Sequence, residues 1–208
     1  MYPPAAHSHN PSRPERRDQH TEKFLSSVEL EKLLEGCRMN KRESQEKLYR
    51  QFFALAMSVC IRYARTAEEA REMCNDGFER LFRQIGTLRE AAAFRAWLRT
   101  LMVRASIDYH RKYFRHQAVA VEPLEMAAAV AVPATALDNL SADEKMALVQ
   151  QLPASLRVVF NLYVAEGYNT SEIATLLNIS EGTARAYLIR ARTRLQEAVL
   201  RAETLKSN

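Results

Sequence analysis

Glycine and proline are both scarce in this chain, with 5 and 7 copies in 208 residues, and most of the prolines lie near the start or in one central stretch. Long segments without either residue favour helices. The scarcity of glycine also excludes chemistry. No two glycines stand close enough to cradle a phosphate, and no GxxxxGK[ST], GxGxxG, HExxH or GxSxG motif occurs. Phosphate-loop, dinucleotide, zincin and serine-hydrolase readings therefore lack their residues, and no cofactor or catalytic group is expected. Cysteine is nearly absent too. Cys37, Cys60 and Cys74 form no CxxC pair, so neither a disulfide framework nor a zinc site is indicated, and they read as small apolar residues of a reducing compartment. His7, His9 and His20 have no acidic or cysteine partners beside them and read as part of a solvated tail. Long apolar runs are missing as well. The longest, residues 126–134, is too short to cross a bilayer and contains Pro133. The chain starts MYPPAAHSHNPSRPERRDQ, polar and without a secretory pattern, so a cytoplasmic protein without membrane insertion is expected.

What is present is helical. Apolar residues make up 47% and charged residues 26%, and the net charge is +5, so the distribution of charge decides more than its total. Residues 1–24 read as a disordered arm. From 25 to 116, apolar residues recur at helical spacing: Leu48, Phe52, Leu55, Val59 and Tyr63; Ala70, Met73, Cys74, Phe78, Leu81 and Ile85; Phe94, Trp97, Leu98, Leu101 and Ala105. With the segment around Leu30 to Cys37, these predict a bundle of about four helices. Residues 117–140 then carry no Lys or Arg, while Pro123 and Pro133 break any helix. They read as a flexible linker that could span about 80 Å if extended and would let the two halves tumble semi-independently. A second helical domain, 141–208, opens on a Ser141–Glu144 capping box. Pro153 starts its next helix, Gly167 stops that helix, Asn169 with Glu172 starts a short third, Asn178 and Ile179 turn the chain, and Ser180 caps the last. The fold class is all-α, two small helical domains joined by the linker.

The short helix, tight turn and long arginine-rich helix describe a helix-turn-helix. On the long helix Ala184, Leu188, Ala191 and Leu195 form an apolar stripe, while Arg185, Ala186, Ile189, Arg190 and Thr193 lie opposite. Four arginines against one acid from Glu181 to Arg194 give it about +3. A helix inserted in a DNA groove needs this division, with a core stripe behind and guanidinium forks in front for base edges or phosphates. The first domain is basic between Arg83 and Arg115, net +6. Arg104, Arg111 and Arg115 share a stripe with Lys112 beside it, and Trp97, Tyr109, Tyr113 and Phe114 interleave. Basic and aromatic residues together suit an unstacked nucleic-acid strand, although Trp97 shares the core stripe of Phe94 and Leu101. On the preceding helix Glu72, Asp76, Glu79 and Arg83 make a mostly acidic exposed stripe, which is either solvated surface or a protein-binding face.

The segment LPASLRVVFNLYVAEGYNTSEIATLLNISEGTARAYLIRARTRLQ closely resembles the C-terminal promoter-binding domain of extracytoplasmic-function sigma factors, a branch of the sigma-70 family. Leu152, Pro153, Arg157, Val159, Phe160, Glu166, Gly167, Glu172, Ile173, Ala174, Ser180, Gly182, Thr183, Arg190, Ala191 and Arg192 fit that pattern. EEAREMCNDGFERLFRQI is similar to the family's polymerase-binding helix. FRAWLRTLMVRASIDYHRK is similar to its promoter-melting helix, with Trp97, Ile107, Asp108, Tyr109 and Arg111 in place. The resemblance covers about 160 residues, in the family's order. The sequence departs from the family at Arg104, where Asn is frequent, at Asn75-Asp76, and at Ala186 and Tyr187 on the recognition helix.

The resemblance implies a sigma factor that brings core RNA polymerase to promoter DNA. Glu72, Asp76, Glu79 and Arg83 would bind the β′ clamp helices. Arg104, Arg111, Lys112 and Arg115, with the loop from Gly86 to Ala92, would hold the opened −10 strand. Thr183, Arg185, Ala186, Ile189, Arg190 and Arg192 would meet the −35 element, with the second domain on the β flap. An anti-sigma factor is a further implied partner. Two rivals stand beside this reading. A stand-alone helix-turn-helix regulator would leave the first domain's charged faces unused. A sigma-mimicking protein that titrates an anti-sigma factor would not need the recognition arginines.

Overall fold

A computed structural model describes residues 25–117 and 141–206, with side chains described outside 112–117, 142 and 202–206. Both the arm at 1–24 and the linker at 117–140, apart from the backbone of Gln117, lie outside the described residues. Among the described residues all regular structure is helical.

The first half contains α1 (Ser27–Arg38), α2 (Arg42–Cys60), α3 (Ala67–Gln84) and α4 (Phe94–Gln117). Each start has a local cause. Ser26 accepts from the Glu29 N–H while Glu29 reaches back to the Ser26 N–H at 2.8 Å, a capping box for α1. Thr66 accepts from the Glu69 N–H and opens α3. Between α3 and α4, residues 85–87 and 91–93 form single 3-10 turns. Leu34, Leu48, Phe52, Phe78, Leu81, Phe94, Leu98 and Met102 are buried at the centre of this bundle, with the Phe52 and Phe94 rings edge to face at 4.8 Å. Gly77 sets the approach of α3 to α4, because a β-carbon there would lie 2.4 Å from the Met102 sulfur.

The second half contains α5 (Ala142–Gln150), α6 (Ala154–Val164), α7 (Thr170–Leu177) and α8 (Glu181–Lys206). Its boundaries follow the expected punctuation. Ser141 and Glu144 form a capping box, Pro153 is the N-cap of α6, and Gly167 takes φ +81°, a conformation other residues adopt only with strain. Asn169 and Glu172 cap α7 reciprocally. Asn178 at its end is left-handed, φ 55°, and asparagine tolerates this better than most residues. Replacing Asn169 with Ala should cost about 0.5–2 kcal/mol, read as a shift in the urea midpoint at unchanged slope. No shift would mean that packing alone sets where α7 starts.

The structure departs from the expectation of two halves free of each other. Helix α6 packs against α8 on one side and α4 on the other, and α7 also touches α4. The buried apolar cluster is continuous from Leu33 to Leu195. The contact is polar at its rim. Three successive carbonyls at the end of α2 receive donors from the second half: Ile61 from the Gln150 amide at 3.4 Å, Arg62 from the Asn161 amide at 2.7 Å, and Tyr63 from Arg157 Nε at 2.8 Å. These three carbonyls follow the last residue of α2, where no helical ladder continues to pair them, and the second half supplies a donor to each.

Candidate nucleic-acid interface

Helix α8 divides as its sequence predicts. Ala184, Leu188, Ala191 and Leu195 are all buried, and Val199 continues the stripe. Ser180 accepts from the Thr183 N–H at 3.0 Å and shares a 2.8 Å hydrogen bond with its hydroxyl, which fixes the first turn. On the other face Arg185, Ile189, Arg192, Thr193 and Arg194 are exposed, and Thr183, Ala186 and Arg190 are half-buried. Arg185 is held by Glu181, Nη2 to carboxylate 3.1 Å, and Glu181 also accepts from the Thr170 hydroxyl at 3.0 Å. Arg192 leans differently, its guanidinium 5.2 Å from the Tyr163 ring centroid on α6. Tyr187 is 4% exposed. It belongs to the underside of α8 and is no part of the face that would meet bases. Burial pushes its phenol pKa up.

The basic helix α4 is more mixed. Arg104 and Arg111 are exposed. Lys112 and Arg115 fall on its last turns, where side chains lie outside the described residues. Asp108 ties the stripe to α3, accepting from Arg80 at 2.5 Å and pairing with Arg111 at 3.6 Å. Trp97 is half-buried, 6.3 Å from the Phe94 ring, so it packs on the core while keeping an accessible edge. The acidic stripe on α3 is exposed at Glu72, Asp76, Glu79 and Arg83. Glu79 pairs with Arg83. Among the described residues no ion pair engages Glu72 or Asp76, so their charge faces solvent.

The structure brings together a second set of side chains that composition and spacing did not single out. Arg157 is 1% exposed and donates to three carbonyls, those of Tyr63, Gln150 and Leu152. Glu166 accepts from Arg99 Nε at 2.8 Å and Nη2 at 2.9 Å. Tyr63 is fully buried with its hydroxyl 3.5 Å from Glu166, and burial, reinforced by that carboxylate, pushes its pKa well above the usual phenol range. His110 also donates its Nε2 proton to the Tyr63 carbonyl at 2.8 Å. One signal was available: Arg157 is a lone charge inside the apolar run LRVVFNLYV, and a charge so placed is either paired or ruinous.

Among the described residues no group of His, Cys, Asp and Glu is placed to hold a metal, and no helix is long and apolar enough to cross a membrane.

Comparison with known proteins finds one matching family model in each half of the chain. A family model for Sigma-70 region 2 matches residues 48–115, from α2 through most of α4. A model for Sigma-70, region 4 matches residues 143–195, from α5 into α8. The chain is similar to a probable RNA polymerase sigma factor, RfaY, of Xanthomonas campestris pv. campestris, 26% identical over 149 residues, which are 69% of this chain and 37% of that protein. It is 23% identical over 190 residues to the RNA polymerase sigma-H factor of Pseudomonas aeruginosa, covering 85% of this chain and 96% of the other. It is 29% identical over 132 residues to the ECF RNA polymerase sigma factor SigM of Mycobacterium tuberculosis, covering 64% and 65%. The chain thus spans just over a third of the first of these proteins, just under two thirds of the third and nearly all of the second.

Proposed function

The chain belongs to the extracytoplasmic-function subfamily of the sigma-70 family of RNA polymerase sigma factors, and from this premise we propose that it directs core polymerase to specific promoters and assists their opening, in the cytoplasm and without catalysis of its own. The observation that carries the proposal is one chain holding a helix-turn-helix with an arginine-bearing outer face on α8 and, on a separate bundle, an exposed acidic face on α3 beside a basic face on α4. A stand-alone regulator has no use for the second pair of faces. The α3 stripe would dock on the β′ clamp helices, where Glu72 and Asp76 offer charges not committed elsewhere among the described residues. Helix α4, through Arg104, Arg111, Lys112 and Arg115, would hold the opened −10 strand. Unstacking costs a few kcal/mol per base step, which capture of an extruded base offsets in part. Helix α8 would enter the −35 major groove, with Thr183, Arg185, Ala186, Ile189, Arg190 and Arg192 at the DNA, and the second half would rest on the β flap. Residues 1–24, 25–116, 117–140 and 141–208 then divide into arm, polymerase and −10 domain, linker, and −35 domain. An anti-sigma factor is the natural regulator of such a protein.

The experiment is run-off transcription with core polymerase on a random promoter library. Specific transcripts that depend on this protein are expected, and their absence with a folded protein defeats the reading. A finer result is expected for Glu72→Lys combined with Asp76→Lys. Reversing two charges paired across a protein interface costs about 2–5 kcal/mol, so affinity for core polymerase should fall at least about thirtyfold. Unchanged affinity in a titration would make the stripe ordinary solvated surface.

A further inference from the structure

We propose that Arg38, the last residue of α1, is a positioning residue for promoter readout: it braces the loop between α3 and α4 and so sets the shape in which that loop receives a base of the opened −10 element. The inference rests on the reading of residues 86–92 as part of the −10 contact.

The loop has little internal structure to stiffen it. Residues 85–93 make two single 3-10 turns joined through Leu88 and Glu90, both with extended backbone. The bonds it makes along its own length are local. The Leu88 N–H donates to the Ile85 carbonyl at 3.3 Å, the Thr87 hydroxyl to the Gln84 carbonyl at 2.8 Å, and the Ala93 N–H to the Glu90 carbonyl at 3.1 Å. Leu88 is the fixed point between them. Its side chain is buried in the bundle, and its carbonyl accepts from Arg38 Nη2 at 2.9 Å, across 50 positions of sequence. Gly86, Thr87, Arg89 and Glu90 on either side of it are exposed. The space at Gly86 is open, since a β-carbon there would meet nothing within 4 Å. The loop thus presents accessible backbone and side chains around one pinned residue, and Arg38 holds the backbone half of the pin.

Arg38 is itself held. Its Nη1 pairs with Glu35, one turn back, at 3.0 Å, while Nη2 reaches Leu88. A planar guanidinium serves two acceptors in fixed directions, which an ammonium does not. Helix α1 is in turn seated on the bundle. Leu33, Leu34 and Cys37 are buried, the helix touches both 3-10 turns, and Gly36 lies so close to α2 that a β-carbon there would stand 2.1 Å from Ser44 Oγ. The brace thus runs from a fixed helix to a loop. Arg38 keeps 28% of its side chain exposed, so water can take over the Leu88 carbonyl if the guanidinium is lost, and the Leu88 side chain still anchors the loop. The fold survives that loss, and the change falls on how tightly the loop is held. Recognition needs a site held to within about 0.5 Å, and a loop that must be ordered on binding recognises its ligand less well. The region 2 match begins at residue 48, so the brace is built from residues ahead of it.

The test uses the full chain as parent, Arg38→Ala, Arg38→Lys and Glu35→Gln, each checked for folding by its urea midpoint. Run-off transcription with core polymerase on the random promoter library gives base preference at every position, and core-polymerase affinity is titrated alongside. Arg38→Ala should lower discrimination at one base of the −10 element by about three- to tenfold, the effect of one charged hydrogen bond discounted for partial exposure. Preference in the −35 element and affinity for core polymerase should stay within about twofold of the parent. Arg38→Lys keeps the charge but not both contacts, and should fall between parent and alanine variant. Glu35→Gln, at an exposed position, should move the same base in the same direction by less. Should Arg38→Ala fail to fold, the lysine and Glu35 variants are read in its place. Unchanged −10 preference in folded variants overturns the proposal. So does a loss spread evenly over both elements or carried by core-polymerase affinity, which would make Arg38 a structural residue only. A parent that yields no promoter-specific transcript overturns the sigma reading, and the proposal with it.

Discussion

Replacing Arg157 with Ala should lower the free energy of unfolding by about 3–5 kcal/mol, a large share of what a domain of this size has. The guanidinium is 1% exposed and makes three hydrogen bonds to carbonyls: Nε to Tyr63 at 2.8 Å, Nη1 to Gln150 and Leu152 at 2.9 Å each. Gln150 ends α5, and the last carbonyls of a helix carry both unmet acceptors and the negative end of the helix dipole. Arg157 satisfies the first and is stabilised by the second. A hydrogen bond to a charged donor contributes about 1.5–3 kcal/mol. Three such bonds would exceed the expected loss, but His110 still serves the Tyr63 carbonyl, and water can enter the space that alanine leaves. Arg157→Lys keeps the charge without the fork and should fall between the two. Urea unfolding followed by circular dichroism measures both. A loss under about 1 kcal/mol for the alanine variant would mean that the buried cation costs nearly as much to desolvate as its bonds return.

What could be read from the sequence was local. Capping boxes at Ser141 and Asn169, the stop at Gly167 and the left-handed turn at Asn178 depend on residues within four positions of each other, and all stand where their chemistry puts them. The buried stripe of α8 was legible for the same reason, since helical period alone sorts its residues. Tyr187 follows the same period. It departs from the family pattern on the recognition helix, and it lies three positions after Ala184 and four before Ala191, on the buried side. The contact between the halves was not legible. Arg157 and Tyr63 are 94 positions apart and Arg99 and Glu166 are 67, and no periodicity links residues across such distances. Composition even argued the other way, because the stretch between the halves has the character of a spacer. The donors that the second half gives to the carbonyls of Ile61, Arg62 and Tyr63, in the turn after α2, are a tertiary answer to a local need, and the sequence states only the need.

The recognition face carries the second large effect. Arg185 and Arg192 lie on the same helix, yet under the proposed promoter-reading role their settings would give them different work. Arg185 sits in the second turn of α8, close to the end that enters the groove in helix-turn-helix proteins. It is exposed, and Glu181 holds its guanidinium at 3.1 Å while Glu181 is itself fixed by Thr170, so the fork is steadied before any DNA arrives. A bidentate Arg–guanine contact discriminates against the wrong base by about 1–3 kcal/mol, whereas a phosphate contact is nearly blind to sequence. Arg192 lies two turns further on, with its guanidinium 5.2 Å from the Tyr163 ring. Its charge is thereby drawn toward α6, where it would meet the DNA backbone. Arg185→Ala should therefore relax preference at one base pair of the upstream element by roughly ten- to a hundredfold. Arg192→Ala should weaken binding to all promoters alike and lower the slope of log affinity against log salt by about one. Promoter-library selection at fixed salt, parent beside each variant, followed by a salt titration on one selected promoter, separates the two. A uniform loss for Arg185→Ala together with altered base preference for Arg192→Ala would reverse the assignment and place the base-reading edge of α8 on the side that faces Tyr163.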